Sequence, residues 1–172
     1  KRWNGKVKEY YNDNLIFEGK YLNGERWKGK GKEYEKHYLI FEGEYLNKKR
    51  NGKGKEYDYD GKIIYEGEFL NGERNGKGKE YFNGILIYDG NYLNGEKSGL
   101  GKKYYYINGN LIYEGEYLNG RRNGKGKEYN RDNHLLKFEG EYLNGERNGN
   151  GKEYKDGKLI FEGIFYHGKK LL

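Results

Sequence analysis

The sequence predicts an all-β fold: a single-layer, elongated and twisted antiparallel β-meander built from repeated β-hairpins. Three observations support this prediction. The phrase aromatic-Glu-Gly-x-aromatic-Leu recurs, with small variations, at spacings of 23 to 25 residues. Within each phrase the residues alternate with period two, as in a half-buried strand, and no 3.6-residue helical stripe fits. Dipeptides such as Asn-Gly, which favour tight hairpin turns, separate the alternating runs.

The composition limits what can form the core and excludes several classes of protein. The 172 residues include 30 Gly and 21 Tyr but no Cys, Pro or Met. A disulfide scaffold and a Cys-based metal site are therefore excluded, and no apolar run is long enough to span a membrane as a helix. Burial must depend mainly on aromatic rings. The absence of Cys favours an intracellular location, in the cytoplasm or associated with a membrane or the cytoskeleton.

The first strand of each hairpin carries two rings with a glycine between them. In the run 15–22, Leu15, Phe17, Gly19 and Tyr21 share one face of the predicted strand. The first ring of the phrase recurs at Phe17, Phe41, Tyr65, Tyr88, Tyr113, Phe138 and Phe161. Glycine inside a strand weakens it unless something must approach the backbone closely. We therefore expect rings to lie in the slots that the glycines leave, forming an aromatic spine from hairpin to hairpin.

The second strand is a basic run punctuated by glycine. It reads GKGKEY at 29–34, 52–57, 76–81 and 124–129, with variants at 99–104 and 149–154. Its lysines are predicted to alternate across strands with the acidic residue that follows each first ring, such as Glu66 or Glu114. Opposite charges in cross-strand positions contribute about 0.2–1 kcal/mol each. The net charge of +7, with both signs interleaved, is typical of a solvating surface, and an anion-binding face is the alternative.

Two kinds of link join the strands. Asp60-Gly61, Asn83-Gly84, Asn108-Gly109 and Asp156-Gly157 carry the signal of a two-residue type I′ turn. The other link, exemplified by residues 71–76, is predicted to be a longer polar loop. Trp3 and Trp27, the two tryptophans of the chain, stand in loops that carry one extra residue.

These links divide the chain into repeats. The prediction is one repeat array over 1–172: a half repeat at 1–14, full repeats that start near 15, 39, 63, 86, 111 and 135, and a terminal half repeat at 159–172. This corresponds to about fourteen strands at about 4.8 Å each. The array is expected to be either a piece of a longer one or a set of repeats trimmed at its caps.

Residues 113–126, Tyr-Glu-Gly-Glu-Tyr-Leu-Asn-Gly-Arg-Arg-Asn-Gly-Lys-Gly, resemble the MORN (membrane occupation and recognition nexus) repeat. The resemblance extends over essentially the whole chain. It differs in the second ring, which is Tyr or Phe where many members have Trp, and at Lys48, which replaces a turn glycine. The resemblance implies an elongated sheet with a groove. It also implies a scaffold role: binding a partner helix or peptide, self-association, or docking to acidic phospholipid.

Residues suited to catalysis are scarce. Ser98 occupies a turn position that Asn holds in most repeats, and His37, His134 and His167 are far apart in the sequence. Nucleophilic catalysis needs a hydroxyl or thiol beside a base, and a metal site needs clustered ligands. We therefore expect no catalytic residue, no metal and no cofactor.

Two sets of residues are candidates for binding. The second rings Tyr45, Phe69, Tyr92, Tyr117 and Tyr142 are predicted to line a groove or the spine. Basic residues predicted at the hairpin tips are Arg50, Arg74, Lys97, Arg122 and Arg147. The predicted function is a non-enzymatic scaffold that binds protein, or a second copy of itself, through an aromatic-lined groove. The alternative is peripheral binding to anionic phospholipid through the basic tips. Nucleic acid is disfavoured, because the rings it would stack on are needed for packing.

Overall fold

The computed structural model describes residues 4–171, and every regular element in that range is a β-strand. The chain divides into two compact units, Lys1–Gly84 and Ile85–Leu172. The first unit contains β1 (Gly5–Tyr11), β2 (Asn14–Leu22), β3 (Glu25–Glu35), β4 (Tyr38–Leu46), β5 (Lys49–Tyr57), β6 (Ile63–Leu70) and β7 (Glu73–Phe82). Each strand pairs antiparallel with the next one along the chain.

The second unit repeats this arrangement. Its strands are β8 (Ile85–Leu93), β9 (Glu96–Tyr104), β10 (Leu111–Leu118), β11 (Arg121–Tyr129), β12 (Leu136–Leu143), β13 (Glu146–Lys155), β14 (Lys158–Tyr166) and β15 (Lys169–Lys170). Successive strands are again antiparallel neighbours. The predicted all-β antiparallel meander is confirmed. The two-residue strand β15 is additional to the fourteen strands that the sequence predicts.

The predicted long loop at 71–76 is wrong. Asn71 and Gly72 form a two-residue turn with φ of 53° and 99°, and Glu73 already belongs to β7. Both positive φ values are those of a type I′ turn, whose twist matches that of the flanking strands. The same turn recurs after the other first strands, including at Asn47-Lys48, where lysine adopts a φ of 66°.

The four predicted type I′ turns divide into two groups. Asn83-Gly84 and Asp156-Gly157 have positive φ at both residues, which confirms the prediction. Asp60-Gly61 and Asn108-Gly109 instead lie in the longer links 58–62 and 105–110, where only the glycine has positive φ. The prediction for Trp27 is also corrected, because this residue lies within β3; Trp3 lies outside the described residues.

In each unit the core is a row of rings on one face of the sheet, as predicted. The first rings Phe17, Phe41, Tyr65, Tyr88, Tyr113 and Phe138 are completely buried. In the second unit, Tyr113 contacts Tyr117 of its own strand, with ring centroids 5.3 Å apart, and Tyr142 of the next hairpin at 5.4 Å. Both contacts are edge-to-face, the geometry that the ring quadrupoles favour. Tyr113 therefore joins two consecutive hairpins, and Phe41 does the same in the first unit through Tyr45 and Phe69.

Glycines make room for these rings. Gly115 and Gly126 face each other across β10 and β11. A Cβ atom on Gly126 would lie 2.3 Å from the Tyr113 hydroxyl oxygen and 2.7 Å from the Tyr113 ring carbon Cζ. A Cβ atom on Gly115 would lie 2.5 Å from the Cα of Gly126. The ring occupies the space of two missing side chains, as the sequence predicts.

Candidate functional site

The two faces of each sheet differ in chemistry because side chains alternate along a strand. In β10, Tyr113 and Tyr117 point to the side of the buried rings, which we call the ring face. Glu114, Glu116 and Leu118 alternate with them and point to the opposite side, which we call the charged face. Each set of predicted binding residues can be placed on one of these faces.

The predicted groove residues lie in the core of the ring face. Tyr45, Phe69, Tyr92, Tyr117 and Tyr142 expose only 3–6% of their surface. Tyr142, for example, packs 5.5 Å from the ring of Phe138 and 5.4 Å from that of Tyr113. Of the two roles expected for these rings, the structure places them in the spine. Buried rings cannot anchor a partner, so any anchoring residues must be found elsewhere.

The predicted tip cations also lie on the ring face, folded over the first rings. The guanidinium carbon of Arg50 lies 4.1 Å from the centroid of Phe41, and that of Arg122 lies 4.3 Å from Tyr113. Arg74, Lys97 and Arg147 lie over Tyr65, Tyr88 and Phe138 at 4.2, 4.4 and 4.2 Å. A cation over a ring face is attracted by the ring quadrupole and also shields the ring from water.

These arginines form a ladder of ion pairs with glutamates of the second strands. Arg50 donates two hydrogen bonds to Glu33, at 3.0 and 2.6 Å, and one to Glu56 at 2.7 Å. Arg74 and Arg147 bridge two glutamates in the same way. The side chains of Arg50, Arg74, Arg122 and Arg147 are only 14–25% exposed to solvent. The expectation of freely exposed cations at the tips is therefore corrected. A pattern in the sequence could have predicted these ion pairs, because the glutamate of each Lys-Glu-Tyr segment recurs as regularly as the arginine.

The ladder shifts the pKa of its members. Burial alone raises the pKa of Glu128, but the hydrogen bond and charge of Arg147 outweigh burial, so this pKa is lowered. The pKa of Glu33 is lowered for the same reason, with Arg50 as the main partner. Tyr45 donates a 2.7 Å hydrogen bond to Glu33. Burial and this bond together raise the pKa of Tyr45 well above the ordinary tyrosine value.

We predict that the protein loses stability at both acid and alkaline pH. A glutamate with a lowered folded pKa contributes stability that is present above the unfolded pKa of about 4.3 and is lost as the pH falls through the folded value. A tyrosine with a raised pKa contributes stability that is present below about pH 10 and is lost as the pH rises through the folded value. Tyr129 is an example: burial, followed by its bond to Glu114, raises its pKa to about 12. The urea midpoint should therefore be level between about pH 5 and pH 10 and fall on either side.

Two measurements check this prediction. Unfolding in urea is followed across the pH range, and tyrosinate absorbance is titrated for the native and the urea-unfolded protein. The native titration should lie at higher pH than the unfolded one. Coincident titrations, or a urea midpoint that does not fall on the acid side, would contradict the pKa shifts described above.

The charged face of the second unit forms a trough of about 890 Å³. Its floor is the backbone of paired glycines: Gly101, Gly115, Gly126, Gly140, Gly151 and Gly163. One wall alternates in sign from strand to strand: Asp89, Lys102, Glu114, Lys127, Glu139, Lys152 and Glu162. The other wall includes Leu100, Lys125, Glu141 and Asn150. A groove is therefore present in this unit, but on the face opposite the rings.

The alternating wall is held in place by its own contacts. Lys102 lies 3.5 Å from Glu114, and Lys127 lies 3.9 Å from Glu139. The Tyr129 hydroxyl donates a 2.6 Å hydrogen bond to Glu114. These contacts confirm the predicted cross-strand pairing of the lysines with the acidic residues. The opposite wall presents Leu100, which is 67% exposed, where most other second strands carry lysine.

The residues considered for catalysis or metal binding do not form a cluster among the described residues. No group of three or more His, Asp or Glu side chains that could hold a metal occurs in the part of the chain that the structure describes. Ser98 lies in β9. The ring of His167 contacts Glu146 through Nδ1 at 2.8 Å. No helix within residues 4–171 is long and apolar enough to cross a membrane.

A comparison with protein families identifies the repeat. The MORN repeat model matches five consecutive segments, 41–63, 65–84, 88–110, 113–134 and 138–158. The chain belongs to the MORN-repeat family. Each matched MORN segment begins at the first ring of a hairpin and extends into the next link. MORN repeats are found in scaffold and membrane-associated proteins, and commonly in intracellular ones. No curated protein matches the chain.

Proposed function

We propose that this MORN-repeat array is a non-enzymatic scaffold that holds a helix or an extended segment of a partner protein in the trough of the second unit. The observation that carries this proposal is the trough itself. It is open, about 890 Å³ in volume, and floored by backbone from β9 to β14. A floor without side chains lets a partner segment approach closely along several strands.

The walls of the trough supply both specificity and an apolar contact. Charges of alternating sign on neighbouring strands select a partner with the complementary order and disfavour others. Leu100 provides an exposed apolar side chain on the wall. The arginines that were candidates for phospholipid contacts are engaged by glutamates such as Glu33 and Glu128. This favours a protein partner over the lipid alternative.

Replacing Leu100 by lysine tests this function. The change removes the apolar contact and introduces the residue found at the same position in β5, β7 and β11 (Lys53, Lys77 and Lys125), so the fold should be preserved. The matched control is Leu70→Lys, at a 48% exposed leucine of the first unit. The three proteins are incubated with native lysate, cross-linked, and the attached peptides are identified by mass spectrometry.

We expect a protein that is cross-linked to trough residues in the wild type and in Leu70→Lys, and whose recovery falls about tenfold in Leu100→Lys, which corresponds to about 1.4 kcal/mol. Light scattering of the purified chain shows whether that partner is a second copy. A strictly monomeric chain that captures no protein, or capture that is unaffected by Leu100→Lys, would contradict the proposal.

A further inference from the structure

The first hairpins of the array depart from the alternating charge pattern. On the charged face of several later hairpins, a lysine of one strand faces a glutamate of the next, as Lys53 faces Glu68 and Lys125 faces Glu141. At the equivalent position of β2 the residue is Lys20. Its direct neighbours are Lys6 on β1 and Lys28 on β3. Three lysines therefore lie side by side across three strands.

An irregular register brings the third lysine into this row. Strand β2 pairs Phe17 with Gly31, whereas in β4 the corresponding Phe41 pairs with Glu56. The difference is two residues, and it occurs where the segment 26–29 of β3 is one residue longer than its counterparts in the later hairpins. A two-residue shift keeps every side chain on its own face. It places Lys28, which has no counterpart in the later hairpins, opposite Lys20.

The lysine row lies in a concavity of its own. The concavity has a volume of about 660 Å³ and is lined by Lys6, Val7, Lys8, Glu18, Gly19, Lys20 and Lys28. Four lysines and one glutamate give this lining a formal charge of +3. Lys8 is paired with Glu18 at 3.3 Å. Within residues 4–171, the structure gives no ion pair to Lys6, Lys20 or Lys28, and all three are exposed.

Like charges in directly opposed positions of a sheet destabilise it. An anion in the concavity would remove this repulsion. We propose that the concavity of the first unit is a second binding site, distinct from the trough, which takes an acidic segment of a partner protein. The carboxylates of that segment would lie against Lys6, Lys20 and Lys28.

The geometry favours a row of carboxylates over a single phosphate group. Neighbouring strands lie about 4.8 Å apart, so the three lysines extend over about 10 Å instead of converging on one point. Acidic residues three or four positions apart on a helix are about 5–6 Å from each other, which matches this spacing. The site also has no arginine fork or helix N-terminus, the groups that most often bind phosphate. A flat bilayer surface fits a concave site poorly.

The charge at position 20 provides the test. A short fluorescent glutamate-rich peptide is titrated with the wild type, with Lys20→Glu and with a matched control, Lys158→Glu. Lys158 is exposed and faces Lys155 across β13 and β14, so the control makes the same charge change and relieves the same kind of repulsion outside the concavity. Anisotropy gives the affinity, and thermal unfolding gives the stability of each protein.

We expect Lys20→Glu to weaken peptide binding by about tenfold or more, and the control to weaken it by less than about twofold. Lys20→Glu should also raise the melting temperature, because repulsion in the row becomes attraction. Equal losses in the two variants would overturn the proposal, since they would show attraction to net charge alone. Preferential binding of tripolyphosphate or phosphatidylserine vesicles that depends on Lys20, with no peptide binding, would overturn it as well. None of these results depends on the trough of the second unit.

Discussion

Replacing Gly126 by alanine is expected to destabilise the protein by about 2–3 kcal/mol, the upper part of the range for overpacking a core. The added methyl group would lie 2.3–2.7 Å from three atoms of Tyr113. Tyr113 is completely buried and packs between Tyr117 and Tyr142. The ring therefore has no free space to move into. The free energy of unfolding in urea measures the loss.

The control for this substitution is Gly163→Ala in β14. The three atoms nearest to a methyl group there belong to the ring of Phe161, one at 2.8 Å and the other two at 3.3 Å or more. Phe161 is also less buried than Tyr113, so it can move aside. We expect less than half the loss seen for Gly126→Ala. Equal losses would indicate that strand propensity, and not the slot, determines the cost.

Truncating a first ring should have the largest effect of any single substitution. Phe138→Ala is expected to cost about 3–5 kcal/mol and to lower the melting temperature markedly. Phe138 is completely buried. Its ring contacts Tyr142 at 5.5 Å and Phe165 at 5.1 Å, and Arg147 lies over it at 4.2 Å. Alanine would leave a cavity. It would also remove the ring contacts that join two hairpins and the ring over which Arg147 lies.

The conservative substitution Phe138→Tyr keeps the ring and adds only a hydroxyl group, so it separates the effect of losing the ring from the effect of changing its polarity. Tyrosine holds this position at Tyr65 and Tyr113, where its hydroxyl donates a 3.2 Å hydrogen bond to a backbone carbonyl of the same strand. The slot therefore accepts either ring, and we expect a change within about 1 kcal/mol. If Phe138→Tyr were as destabilising as Phe138→Ala, the packing described here would be wrong at this hairpin.

The repeat and the alternation were sufficient to predict the strands and the spine, because both depend on local pattern. A ring, a glycine and a second ring on one face can be buried only if neighbouring hairpins fill the gaps. The pairing of opposite charges across strands could also be predicted, because pairing the glycines of neighbouring strands fixes the register of the residues beside them. Gly115 and Gly126 illustrate this, and Glu114 and Lys127 follow from them.

The roles of the charged ring-face residues were not predictable in the same way. Arg50 lies in a run of polar residues that is typical of a loop, and Glu56 lies in a predicted strand whose charged side chains were expected to face solvent. Their placement on the ring face depends on the two-residue turn at Asn47-Lys48 and on the register shift between Gly43 and Tyr45. The irregular register of β2 and β3 likewise depends on how one extra residue is accommodated. For these reasons the groove was expected on the wrong face, and the lysine row was not foreseen.

A double-mutant cycle between Gly126 and Tyr113 tests the central claim most directly. The three atoms nearest to a methyl group on Gly126 all belong to the Tyr113 side chain. Replacing Tyr113 by leucine removes those atoms, and Gly126→Ala should then cost almost nothing. We predict a coupling free energy of at least about 1.5 kcal/mol between the two substitutions. Additive losses, with a coupling below about 0.5 kcal/mol, would show that the rings do not depend on the glycine slots and would contradict the account.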